Sequence, residues 1–190
     1  AVYGDAAIAA MSITGRVTFF IFSALLGFGQ GFQPVCAYNW GAGKYDRVRK
    51  ATVFTAQVGT IIITILSLLT YILTPSIIKA FISDDPMVIE VGTRALRAQC
   101  LLLPFCGINV TTNMALQGTS HVASATFLAM CRQGIFYIPS ILILPKVLGI
   151  TGVEIAQPTA DVLTFTFSIF LFISFLRECK EKNKENNPCE

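Results

Sequence analysis

Five long apolar runs, near residues 6–34, 51–75, 91–116, 122–145 and 152–176, limit what this chain can become. Each exceeds the ~20 helical residues that cross a hydrocarbon core about 30 Å thick. A backbone in lipid must pair its own amides, so a spanning segment is a helix or part of a closed barrel. The runs show no strict polar–apolar alternation and are far longer than barrel strands of ~9–11 residues. Helices are therefore expected. Composition agrees: 13% of the 190 residues are charged, against ~25% in a soluble domain. The expected fold class is an all-α polytopic membrane protein, with residues 1–176 forming a bundle of five transmembrane helices.

Charge sets the expected orientation. Loop 41–50 carries Lys44, Arg47, Arg49 and Lys50 against one acid, Asp46, and the tail carries Arg177, Lys180, Lys182 and Lys184. The opposite connections hold Lys79 and Lys146. The positive-inside bias puts loop 41–50 and the C-terminus in the cytoplasm. The tail 177–190 is charged and polar and is expected to be disordered. Segment 76–90 is an outer connection, its first half suited to the interface, and Ser83-Asp84-Asp85-Pro86 is a helix start.

The net charge of +3 is small and sits near the predicted membrane ends, so nucleic acid is not an expected partner. The lipid bilayer is. The chain begins at Ala1, has no Met before Met11 and lacks a basic leader, so it reads as a fragment rather than as a protein with a signal peptide. Its six cysteines form no CxxC and His121 is the only histidine. Buried free thiols are expected, and neither a disulfide framework nor a metal site.

Polar groups inside the runs are the candidate functional residues. Pro34 has no N–H and deprives the Gln30 carbonyl of its helical donor, so a kink or an early helix end is expected. Gly27, Gly29 and Gly31 allow a neighbouring helix to come close, while Gln30 and Gln33 offer carboxamides for a cap or for an inward-opening cavity. Asn39, Gly41 and Gly43 form the cytoplasmic elbow that follows. Gly41-Ala-Gly-Lys44 is no phosphate loop, because Tyr38 and Tyr45 stand where that motif needs Gly and Ser or Thr. Arg16, Arg132 and Asp161 each fall about 15 Å into their runs at 1.5 Å per residue, so a midplane charge network is expected. Arg132 and Asp161, on consecutive antiparallel helices, are its natural ion pair. That pair is either static or a proton-sensitive coupling element. Glu154, near the outer mouth, is expected to be solvated. Asn109, Thr112 and Asn113 share a helix face at i, i+3 and i+4, for interhelical hydrogen bonding or cavity lining. No catalytic constellation stands out, so an enzyme is not expected.

The block 27–48, GFGQGFQPVCAYNWGAGKYDRV, closely resembles the second helix and following loop in the C-terminal half of multidrug and toxic compound extrusion (MATE) transporters. Tyr3–Ala10, Met114–Gly118 and Gly152–Asp161 are similar to other stretches of that half. The resemblance implies most of one lobe of a two-lobed, twelve-helix transporter in a bacterial inner membrane. The N-terminal lobe and the first helix of this lobe would be the missing partners. It implies no cofactor beyond a coupling Na⁺ or H⁺, and export of small cationic amphiphilic compounds. A related lipid or polysaccharide-precursor flippase, or a non-transporting scaffold fragment, are the alternatives. Some branches of the family hold the coupling cation with a carboxylate on the tenth helix. The matching stretch reads Leu103-Pro-Phe-Cys-Gly107, without an acid, which shifts the expected coupling to the absent lobe.

Overall fold

A computed structural model describes residues 4–81 and 86–186. Helix α1 spans Gly4–Gly41, α2 Tyr45–Phe81, α3 Pro86–Leu102 and α4 Cys106–Gly118. Then come α5 over Val122–Met130, α6 over Tyr137–Leu148 and α7 over Ile150–Asn186. A 3₁₀ turn at Leu103–Phe105 joins α3 to α4, and a π turn at Cys131–Ile135 joins α5 to α6. The expected start at Ser83-Asp84-Asp85 and the last four residues lie outside the described part.

By length and apolar composition, four helical stretches are able to cross a membrane: Ile8–Gly41, Tyr45–Phe81, Val122–Leu148 and Thr151–Asn186. The interrupted pair α3–α4 covers the remaining apolar run expected from the sequence. Leu25, Ile63, Ile78, Leu96 and Leu103 are fully buried between the helices. Phe20 is 79% exposed, Phe170 70% and Ile72 65%. Large apolar groups both inside and outside mean that the outer surface is built for lipid rather than water.

The break between α3 and α4 follows from Pro104. Without an N–H, Pro104 cannot donate to the Cys100 carbonyl one turn earlier. The buried Ser67 hydroxyl on α2 donates to that carbonyl instead. Just beyond the break, α4 lies directly on α2: a Cβ added to Gly107 would fall 2.8 Å from the Thr60 Cα. Only glycine permits that approach. The π turn is closed by the Phe136 N–H donating to the Cys131 carbonyl at 3.0 Å. It accommodates one residue more than an α turn.

Three expectations need correction. Of the kink or early end expected at Pro34, the early end does not occur, because α1 continues seven residues further, to Gly41. The chain then reverses at Gly43, whose φ of +69° suits glycine. Residues 76–81 do not form a separate interfacial piece but complete α2. The tail is not disordered through residue 186, because α7 continues to Asn186. An existing helix extends without a new nucleation cost, and its polar end has partners. Lys182 pairs with Glu178 at 3.0 Å and lies 4.3 Å from the Trp40 ring. Glu178 meets His121 Nε2 at 3.2 Å, and Asn186 Nδ2 donates to the Gly43 carbonyl at 3.3 Å. The final turns of α7 therefore clasp the elbow.

Candidate functional site

The site centres on Asp161, which α7 places 1% exposed inside the bundle. The π turn projects Arg132 toward it, and Arg132 Nε donates to Asp161 Oδ1 at 2.8 Å. Gln157, one turn earlier on α7, reaches the same oxygen at 3.4 Å, and Gln99 on α3 donates to Oδ2 at 3.3 Å. The Arg132 guanidinium lies 4.1 Å from the Phe22 ring centre and its Nη2 points to Cys106 Sγ at 3.9 Å. A buried carboxylate in lipid needs this many donors, since each unpaired lone pair adds to its desolvation cost. The cluster ties α1, α3, α4, the π turn and α7 together at one point.

Beside Arg132 lies a cavity of about 180 Å³ between α1, α4, α5 with its π turn, and α7. Its walls are mostly apolar, from Phe22, Leu26, Val110, Met114 and Leu128. Asn109 and Asn113 enter from α4. Asn113 is fully used: its Nδ2 donates to the Ala125 carbonyl at 2.8 Å and its Oδ1 accepts from Gln117. Asn109 is 5% exposed, and neither its Nδ2 nor its Oδ1 has a hydrogen-bond partner.

The expected charge network is thus a pair and not a triad. Arg16 is exposed and lines a different groove, with Phe20, Leu66, Leu69 and Leu73. It is six residues, about 9 Å, along α1 from Phe22 and on another face. The α4 stripe is also divided. Thr112 is buried but turns back to donate to the Ile108 carbonyl at 2.8 Å, leaving the two asparagines at the cavity. Neither Gln30 nor Gln33 is among the cavity-lining residues. Gln30 is exposed, and Gln33 donates to Gln117 at 3.5 Å, extending the Asn113 ladder toward the elbow. Asn39 Nδ2 donates back to the Val35 carbonyl of its own helix at 2.8 Å, and a Cβ on Gly41 would meet nothing within 4 Å. Of the three glycines upstream, Gly29 packs against Val110 and Met114, while Gly27 and Gly31 face open space.

Glu154 is buried rather than solvated, at 3% exposure. Its Oε2 lies 3.7 Å from Arg94 Nε, and Oε1 has no hydrogen-bond partner. The sequence reading missed Gln99, Cys106 and Gln157. Only Gln157 carried a local signal, four residues before Asp161 on one helix.

The MatE family model matches residues 1–143. The multidrug export protein MepA of Staphylococcus haemolyticus is 28% identical over 177 residues, covering 92% of this chain and 38% of its own length. MepA of Staphylococcus aureus is 30% identical over 178 residues, covering 93% and 38%. The Vibrio cholerae MATE transporter VcmN in its bent form superposes with a TM-score of 0.85 at 19% identity, over 95% of this chain and 41% of that one. The chain therefore spans about 38% of the length of the curated relatives it matches.

Proposed function

Because the chain belongs to the MatE family, we propose that it forms most of the C-terminal lobe of a secondary multidrug exporter. The exporter moves cationic amphiphilic compounds out of the cell in exchange for Na⁺ or H⁺. The observation that carries this reading is the match to a multidrug export protein along 92% of the chain. The interior supports it. A bundle with a lipid-facing apolar surface contains a polar cluster and a cavity, as transporters place their sites between helices near the midplane. The basic loop 44–50 and the end of α7 face the cytoplasm, and the Phe81 end of α2 faces outward.

Asp161 is fully engaged by Arg132, Gln99 and Gln157, which fits a structural role better than proton carriage. Coupling then belongs to the partner lobe. Alternating access rocks one repeat against another, so residues 1–190 alone do not transport. Substrate-dependent cation flux from the purified chain in liposomes would refute that. The efflux reading is tested with the chain joined to its N-terminal lobe in a host lacking its own pumps. Ethidium accumulation falls if the reading holds. Unchanged accumulation across several cationic dyes overturns it.

A further inference from the structure

We propose that the cavity beside Arg132 is a subsite for a neutral, planar hydrogen-bonding group of the lactam or carboxamide class, and that it does not counter the positive charge of a substrate. The proposal deepens the efflux reading. It rests on that reading only in treating the bound group as part of an exported molecule.

The first argument is the state of Asn109. A carboxamide offers a donor and an acceptor side by side. Asn109 holds both inside the bundle, 5% exposed, and neither has a partner. Leaving such a group unpaired in an apolar surround costs free energy that a complementary ligand edge recovers. The other polar groups of the cavity are committed. Asn113 is bonded at both ends of its carboxamide, and the Thr164 hydroxyl donates to the Ala160 carbonyl at 2.7 Å. Only Gln133, exposed at the mouth, shares the freedom of Asn109.

Charge is the second argument. Arg132 is the one ionised residue lining the cavity, and Asp161 neutralises it at 2.8 Å. A cation entering would meet the guanidinium with no free carboxylate to balance it. An anion would compete with Asp161 and leave one negative charge in excess. Both states are penalised at low dielectric, whereas a neutral group leaves the pair intact.

Size and shape are the third. A cavity with about 180 Å³ of water-accessible space has room for a small ring and its carbonyl. Leu26, Met114 and Leu128 supply apolar walls for the ring, with Asn109 at its polar edge. A drug thus leaves its charged end outside this pocket.

The test uses the full chain in lipid nanodiscs and two probes of equal ring size, neutral δ-valerolactam and cationic piperidinium. Saturation-transfer NMR measures binding of each. Valerolactam binds the unmodified chain and piperidinium does not. Asn109→Leu, close in shape but unable to hydrogen bond, weakens valerolactam about tenfold. Ala129→Trp fills the mouth from an exposed wall position and removes binding without touching the core. It decides the matter if Asn109→Leu does not fold. Three results overturn the proposal: no valerolactam binding to the unmodified chain, binding undiminished in the folded variants, or piperidinium binding lost in those same variants. None of them depends on transport. A failure of dye efflux with lactam binding intact would sink the efflux reading and spare the subsite.

Discussion

Arg132 and Asp161 form a 2.8 Å ion pair between the π turn and α7, with the carboxylate side chain 1% exposed and the guanidinium side chain 17% exposed. Removing one partner leaves the other buried without its counter-charge, at a cost of about 3–5 kcal/mol. Asp161→Asn and Arg132→Ala each lower the yield and melting temperature of the folded protein. The double variant is less damaged than the sum of the two. If Asp161→Asn instead folds normally and abolishes the pH dependence of efflux by the two-lobed protein, Asp161 is the coupling carboxylate.

Ser67 replaces a donor that Pro104 cannot supply. Ser67→Ala leaves the Cys100 carbonyl unpaired at a cost of about 1–3 kcal/mol. Adding Pro104→Ala returns an N–H to that turn. The double variant should be more stable than Ser67→Ala alone, as read by thermal unfolding in detergent. Equal stability would mean that the hydroxyl bond contributes nothing.

The end of α7 is held by Trp40, the single tryptophan of the chain. Its ring stacks on Phe175 at 5.8 Å and receives Lys182 at 4.3 Å. Truncation after Leu176 therefore shifts Trp40 emission to longer wavelength and lowers the melting temperature. A tail without structure would change neither.

Sidedness is checked with impermeant thiol reagents on sealed cells. Cys179 is fully buried and stays silent from both faces. A cysteine at exposed Lys180 reacts only after permeabilisation, and one at half-exposed Met87 reacts from outside. The opposite pattern would invert the bundle.

What could be read from the sequence was periodic or compositional. Run length and sparse charge announced the membrane helices, and two charges in consecutive spans announced the Arg132–Asp161 pair. Depth along a helix was legible only coarsely, and azimuth was not. Arg16 sits about 9 Å along α1 from Phe22, the neighbour of the pair, and on another face, so counting from helix ends places it only coarsely and its azimuth not at all. Thr112 shares the stripe of Asn109 and Asn113, yet its hydroxyl is satisfied by its own backbone. Which asparagine keeps its hydrogen bonds free depends on Ala125 and Gln117, and only packing brings the Ala125 carbonyl to Asn113. The helical tail escaped notice because a charged composition describes the unbound segment, not the elbow that grips it.

The π turn at Cys131–Ile135 also bears on how this chain is compared with its relatives. One extra residue turns everything after it by about 100° relative to an uninterrupted helix. A homologue lacking that residue would align with a single gap here and still keep Leu128 inward and Ile138 outward. Forcing a gapless alignment would pair lipid-facing positions of one protein with core positions of the other throughout the segment that follows. Deleting one residue within 131–135 thus removes the bulge and leaves the faces of α6 where they are.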